Sequence, residues 1–186
     1  KIYIIDVKKQ NPNNYVLDCF DVAFKLIKSG FTNKLINGPV DKSKTLKKKY
    51  LGITEYISKK FLTKKTCMLI FNRKLSVCPI TTHLPLKLVS KNITKKNIIN
   101  KVSLINIFYE EKLKFKPRIG IIGLNPHCES IHAYNEDEKI IKPSIKYLKK
   151  KYNVSGPYPA DTIFLKNNRK NFDVIVGMYH DQVLTP

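Results

Sequence analysis

Apolar residues recur along this chain with two different periods, and the switches between them mark out its elements. From Tyr15 to Ser29, the residues Val16, Phe20, Ala23, Phe24 and Ile27 return at three- and four-residue intervals. This spacing predicts one face of an amphipathic helix, stopped by Gly30 and preceded by a turn at Asn11–Asn14. A longer helical pattern starts at Asn92 or Thr94 and reaches about Lys114, with Ile98, Val102, Ile105 and Phe108 on one face and Pro117 closing it. Thr54 is placed to cap a helix running to Phe61, and Glu136 to Lys151 reads as a further helix. Short apolar runs predict strands at Ile2–Val7, Leu35–Ile36, Thr66–Phe71, Leu75–Ile80, Arg118–Leu124 and Asp173–Met178. The third and fourth are joined by Asn72-Arg73-Lys74, short enough for a hairpin. Gly156 to Asp161 is predicted to be a loop, because Pro157 and Pro159 break a strand ladder.

Helices alternating with short strands define an α/β fold: a mostly parallel sheet covered by helices on both faces, with one antiparallel excursion near residues 66 to 80. Parallel strands share one carboxyl edge, and ligands of open α/β sheets bind there. Three of the four histidines end an apolar run. His83 follows Ser76-Val-Cys-Pro-Ile-Thr-Thr, His127 follows Ile119-Gly-Ile-Ile-Gly-Leu-Asn-Pro, and His180 follows Phe172-Asp-Val-Ile-Val-Gly-Met-Tyr. Converging imidazoles would suit zinc, cobalt, nickel or iron and leave positions open for water or substrate. Asp181 and Glu129 stand beside two of them as possible acceptors that fix the ring tautomers. A histidine at a strand end is equally compatible with a hydrogen-bonded structural role, and spacing leaves the two readings level. His132, in a polar stretch, reads as surface.

Composition narrows the function classes. At 186 residues, 42% hydrophobic and 26% charged, the chain is expected to form one compact globular unit. No apolar run approaches the roughly 18 residues of a membrane span, and the opening Lys-Ile-Tyr-Ile-Ile-Asp lacks the order of a signal peptide. A cytoplasmic protein without a membrane partner is expected. The chain opens inside a predicted strand without Met and stops just after His180, so a piece of something longer is expected. The net charge of +21 raises a nucleic-acid reading. Only Arg73, Arg118 and Arg169 are arginine, and the lysines are spread throughout, which favours a solvated lysine-rich surface over a nucleic-acid partner. Cys19, Cys67, Cys78 and Cys128 show no Cys-x-x-Cys spacing and read as buried free thiols. Cys128, beside His127, could approach a metal or be oxidised. Asn37-Gly-Pro-Val-Asp-Lys42 and Gly52-Ile-Thr-Glu55 are loops of an anion-binding kind, although turn chemistry explains both. There is no Gly-x-Gly-x-x-Gly, no Walker loop and no serine in a nucleophile elbow.

Six blocks then occur in order: Asn37-Gly-Pro-Val-Asp-Lys42, Gly52-Ile-Thr-Glu-Tyr56, Thr81-Thr-His-Leu-Pro-Leu86, Gly123-Leu-Asn-Pro-His127, Gly156-Pro-Tyr-Pro-Ala-Asp-Thr-Ile-Phe164 and Met178-Tyr-His-Asp-Gln182. Together they resemble the signature blocks of the 4-hydroxythreonine-4-phosphate dehydrogenase family of pyridoxal phosphate biosynthesis. The resemblance implies a fold like that of isocitrate and isopropylmalate dehydrogenases, and a homodimer with active sites at its interface. It implies a divalent metal (zinc, magnesium or cobalt) held by residues matching His83, His127 and His180. It also implies NAD-dependent oxidation and decarboxylation of the phosphorylated amino acid 4-phosphooxy-L-threonine, giving 3-amino-2-oxopropyl phosphate.

The resemblance spans nearly the whole chain but matches the middle of the family's sequence. Residues 1 to 186 are therefore expected to be a partial α/β catalytic region, lacking the family's amino-terminal block and its carboxyl-terminal segment with most NAD contacts. Where the family has Gly-His-Thr-Glu, this chain has Ile53 at the histidine position, so of the substrate contacts in that block only Thr54 carries over. The glycine-rich stretch after Asn-Pro-His is replaced by Cys128-Glu-Ser-Ile-His-Ala-Tyr134. Two classes stay open: the dehydrogenase, as a fragment or divergent copy, and a non-catalytic metal-binding or dimerising remnant of it. A basic nucleic-acid binder is a distant third.

Overall fold

Four short apolar strands pair into one all-parallel sheet: β1 (Ser76–Pro79), β2 (Ile119–Ile122), β3 (Val154–Tyr158) and β4 (Val174–Gly177), in the spatial order β1-β4-β2-β3. The structure, a computed structural model, describes residues 2–8, 14–46, 49–50, 52–63, 65–129, 131–132 and 134–186. Helices α1 (Tyr15–Lys28), α2 (Lys42–Leu46) and α3 (Ile53–Lys60) precede the sheet. Between β1 and β2 run α4 (Val89–Asn92) and α5 (Lys95–Phe108), and α6 (Lys142–Leu148) lies between β2 and β3. After β3 come α7 (Ala160–Ile163) and α8 (Lys166–Arg169), and α9 (His180–Leu184) follows β4. Contacts group these elements into two bodies, Lys1–Phe61 and Leu62–Pro186, in place of the single unit expected from length.

In the first body, α1 buries Phe20 and Phe24 against Leu46 and Tyr56. Its charges follow the helix dipole, Asp18 in the first turn and Lys25 and Lys28 in the last. Lys60 Nζ reaches Asp21 Oδ1 at 2.8 Å and ties α3 to α1. Of the predicted turn before α1, residues 11 to 13 lie outside the described residues, and Asn14 is the N-cap without a side-chain capping bond. Thr54 does not cap α3, because the helix already begins at Ile53 and Gly52 is the N-cap. The strands expected at Ile2–Val7 and Leu35–Ile36 do not form. Ile2 and Ile36 are 94% and 97% exposed, and among the described residues this body contains no strand to accept a ladder bond.

In the second body the sheet obeys the period of two that a strand buried on both faces requires. Cys78, Ile119, Ile121, Val174 and Val176 pack on one face against Ile98, Val102 and Ile105 of α5 and Ile145 and Leu148 of α6. Ile122 and Ile175 pack on the other against Ile163 of α7 and Val183 of α9. The predicted cover on both faces is thus present. Thr94 caps α5 as expected, accepting from Asn97 N at 3.2 Å. The helix widens into a π turn at Tyr109–Leu113, and the Tyr109 hydroxyl donates to Ser76 Oγ at 2.8 Å beneath β1.

Two expectations fail here for identifiable reasons. Residues 66 to 71 do not form a strand, and the hairpin shrinks to a single antiparallel bridge, Ile70 with Val77. Both Ile70 and Val77 amides bond across it, so the next such pair would use the amide of residue 79, which is Pro79 and has none. Conversely, Val154–Tyr158 is a strand despite Pro157. β3 is an edge strand, and its register to β2 shifts between Gly120 and Ile122, which leaves Gly156 and Pro157 in a bulge where proline is tolerated. Gly156 has φ +130°, and a Cβ there would lie 2.4 Å from the Ile121 carbonyl oxygen, so the bulge requires glycine.

Arg118 and Asp173 clamp the amino ends of β2 and β4: Oδ2 accepts from Arg118 N at 2.8 Å and Nε at 3.1 Å, and Oδ1 from Nη2 at 3.0 Å. Burial raises the Asp173 pKa, but the Arg118 side-chain and backbone hydrogen bonds and charge together hold it below the ordinary carboxyl value. A depressed folded pKa means stabilisation present above the unfolded pKa of about 3.9 and lost as pH falls through the folded one. Asp173→Asn is therefore expected to be less stable than the parent at pH 7, with the gap closing as pH drops below about 4. Urea titrations of both proteins across that range check this, and a gap independent of pH would contradict it.

Candidate functional site

The carboxyl edge of the sheet is built by backbone bonds that run past the strand ends. Ile80 N donates to Gly177 O at 2.8 Å and Thr81 N to Met178 O at 3.1 Å, while the Thr81 hydroxyl reaches the same carbonyl at 2.8 Å. The segment carrying His83 is thereby laid along the segment carrying His180. Gln182, in α9, joins this pair to β2: its Nε2 donates to Gly123 O at 2.8 Å, and its Oε1 accepts from Met178 N at 2.6 Å. A Cβ on residue 177 would lie 2.4 Å from Val183, so Gly177 lets α9 fold back closely enough for that amide to work.

At the end of β2, Asp137 is fully buried and organises the chain before His127. Its oxygens accept from Leu124 N and Asn125 N, both at 2.9 Å, and from Asn125 Nδ2 at 2.8 Å. Pro126-His127-Cys128 then makes one tight turn in which His127 and Cys128 adopt φ of 56° and 62°. Two consecutive left-handed non-glycine residues cost about 1 to 2 kcal/mol each and persist only where the surroundings fix them. Here those surroundings are the Asp137 bonds and the Cys128 N to Asn125 O bond of 3.0 Å.

The edge brings His83 and His180 together. Their ring centres are 6.0 Å apart with planes inclined by 41°. They line a cleft of about 270 Å³ with Thr82, Leu84, Leu86, Val89, Tyr179 and Asp181. His180 Nδ1 lies 2.7 Å from Asp181 Oδ1. With the carboxylate as acceptor, the proton sits on Nδ1, which leaves the lone pair of Nε2 as the one a metal could use. Two imidazoles on one ion, with metal–nitrogen bonds near 2.1 Å, place their ring centres roughly 5 to 6.5 Å apart. The observed separation of 6.0 Å lies within that range.

His127 lies in the Pro126–Cys128 turn beyond the carboxyl end of β2 and is exposed. Among the described residues, no three His, Cys, Asp or Glu are grouped so as to hold an ion. His132 is on the surface. Cys128 is buried, and burial raises its pKa, which leaves it unlike a reactive thiol. In the segment that follows it, Ser130 and Ala133 lie outside the described residues.

In the first body, Thr54 and Ile53 occupy the first turn of α3, half-buried, with Ile53 packed on the aromatic cluster. Asp41 Oδ1 accepts from Ser43 N, Ser43 Oγ and Lys44 N, so that part of the Asn37–Lys42 loop is turn chemistry. Lys47 and Lys48 of the basic stretch lie outside the described residues. Neither Asp137 nor Gln182 was assigned a role from sequence. Gln182 stands in the Met178–Gln182 block, whereas Asp137 is hidden among the acidic residues Glu136 to Glu138.

Fold and edge together define the class: an α/β protein whose parallel sheet presents a histidine-lined cleft at its carboxyl edge. The family model described as pyridoxal phosphate biosynthetic protein PdxA matches residues 4–186, and the chain belongs to that family. A 4-hydroxythreonine-4-phosphate dehydrogenase of Sulfurihydrogenibium is 44% identical over 140 residues, covering 74% of this chain and 43% of the relative. One from Neisseria meningitidis is 34% identical over 190 residues, covering 97% and 58%. The crystal structure of 4-hydroxythreonine-4-phosphate dehydrogenase from Klebsiella pneumoniae superimposes with a TM-score of 0.78 at 28% identity, over 91% of this chain and 54% of that one. The chain thus spans about half the length of the curated relatives it matches. Its fold is the isocitrate/isopropylmalate dehydrogenase-like α/β arrangement that the resemblance implied. Among the described residues, no helix is long and apolar enough to cross a membrane.

Proposed function

We propose that this chain supplies part of a metal- and NAD-dependent dehydrogenase that oxidises and decarboxylates 4-phosphooxy-L-threonine to 3-amino-2-oxopropyl phosphate in pyridoxal 5'-phosphate biosynthesis. The observation that carries this reading is the His83–His180 pair at the sheet's carboxyl edge, in two of the six family blocks. His83 and His180 would hold the divalent ion, and His127 would join them from a second copy in a cytoplasmic homodimer. When bound, the ion supplies a Lewis acid for substrate oxygen.

The chain's own groups have the remaining tasks. Asp181 holds the His180 proton at Nδ1, Thr81 and Gln182 fix the spacing of the strand ends, and Leu84, Leu86 and Val89 give the cleft an apolar wall. Thr54 offers its hydroxyl to substrate. The sequence has no dinucleotide-binding glycine pattern, and no residue is assigned to NAD.

Ile53 favours the second reading, a non-catalytic metal-binding or dimerising remnant, since its side chain can neither hydrogen-bond nor move a proton. NADH formation from 4-phosphooxy-L-threonine separates the two. The comparison uses this chain, a chimera completed with the remaining segments of the Sulfurihydrogenibium relative, and that chimera with Ile53→His. The expected order is no turnover, weak turnover, and a clear gain. A folded, metal-binding chimera that stays inactive even with Ile53→His establishes the remnant.

A further inference from the structure

Away from the histidine edge, Cys67 and Cys78 bring their sulfur atoms to 3.4 Å. Cys78 belongs to β1 and is fully buried, while Cys67 is half-buried on the segment before the Ile70–Val77 bridge. We propose that these two thiols are a redox pair that closes to a reversible disulfide in response to a peroxide. A disulfide needs its sulfurs at about 2.05 Å, so the pair lies within a small side-chain adjustment of bonding distance. Where structural disulfides are rare, a pair already in contact fits a transient, sensing role.

The surroundings assign each thiol its part. Cys67 lines a cleft of about 220 Å³ with Leu69, Phe71, Leu104, Ile105 and Phe108, and this gives a small peroxide access to it. Cys78 has no surface of its own. The contact with Cys78 lowers the Cys67 pKa against the effect of burial, helped by the charge of Lys101, whose ammonium donates to Thr66 O at 3.3 Å. The same contact, then burial, raises that of Cys78. Cys67 is therefore the attacking group and Cys78 the resolving one.

In the first step the Cys67 thiolate attacks one peroxide oxygen, and the O–O bond breaks to give a sulfenic acid and hydroxide. In the second, Cys78 gives its proton to that hydroxide and attacks the Cys67 sulfur. The S–O bond breaks, and the departing hydroxide takes up the proton released by Cys67. Two thiols and one hydrogen peroxide become one disulfide and two waters, and a dithiol reductant reverses the change. Because Pro79 ends the ladder, residues 66 to 71 are tied to β1 by one bridge, and the disulfide would add a covalent tie to the strand that leads to His83.

The test treats the chain with hydrogen peroxide at near-stoichiometric concentration and reads intact mass and peptide map. The expected result is a loss of two hydrogen atoms, a crosslinked Cys67–Cys78 peptide, and reversal by dithiothreitol. Closing a loop of this size should raise the thermal midpoint by about 5 °C. Cys67→Ser should abolish the crosslink while leaving the fold intact by circular dichroism, so a misfolded Cys78 variant is not needed to decide. Oxidation of Cys67 to sulfinic or sulfonic acid without a crosslink, or pairing through Cys19 or Cys128, would overturn the proposal.

Discussion

His83→Ala or His180→Ala is expected to weaken zinc binding by about a hundred-fold or more, with the fold retained. Loss of a mere hydrogen-bond partner behind a metal ligand costs about 10- to 100-fold in affinity, and loss of the ligand costs more. Asp181→Asn supplies the smaller step, about ten-fold, because the amide can still accept the Nδ1 proton but without charge. Titration calorimetry with zinc on the parent and the three variants gives the series, and His132→Ala, on the surface, is the control. If His83→Ala binds zinc as the control does, the metal proposal fails. On the proposed homodimer, His127→Ala should matter only in the associated form, so its effect should grow with protein concentration, and sedimentation of the parent shows whether such a form exists.

Asp137→Ala is the second large effect, and it concerns stability. The side chain is fully buried and accepts three N–H bonds, two of them from the backbone of Leu124 and Asn125. Truncation leaves those donors without their acceptor, at about 1 to 3 kcal/mol each, and opens a small cavity besides. A loss of about 3 to 5 kcal/mol is expected, read as a shifted midpoint of urea unfolding for the second body. Asp137→Asn keeps an acceptor oxygen and should fall between. The turn at His127 should loosen as well, because its left-handed residues follow directly from the segment Asp137 holds. A cost below about 1 kcal/mol would mean that water replaces the carboxyl and that the turn is held by other means.

What could be read from sequence divides along physical lines. β1, β2 and β4 were legible because each is a short apolar run of alternating faces ended by a breaker, a property of the segment itself. Ile2–Val7 has the same signature, but a strand also requires a neighbour to complete its ladder, and no local pattern supplies one. β3 was missed for the opposite reason: Pro157 forbids a central strand, and only the neighbour's register shows that it sits in an edge bulge. The histidines were legible as residues just beyond strands because His83, His127 and His180 each come within a few residues of the end of an apolar run. Asp137 and Gln182 act across 12 and 59 residues on Asn125 and Gly123, so their roles exist only once the sheet is assembled. Cys67 and Cys78 likewise meet because of the Ile70–Val77 register, not because of any spacing that signals a pair.

The sheet order has a consequence for how the chain reaches this state. β4 comes last in sequence yet lies between β1 and β2, pairing Val77 with Ile175 on one side and Gly120 with Ile175 on the other. Of the parallel pairs, only β2 with β3 can therefore close before β4 arrives, and insertion of that strand must bring together residues nearly a hundred positions apart, as Ser76 and Val174 are. Long-range pairing of this kind is slow and leaves strand edges open meanwhile. His180 follows β4 by only three residues, so the imidazole pair cannot form before β4 has docked on β1. If that pair binds an ion as proposed, capture is coupled to the docking of β4, and an ion present during folding would act as a latch on the inserted strand.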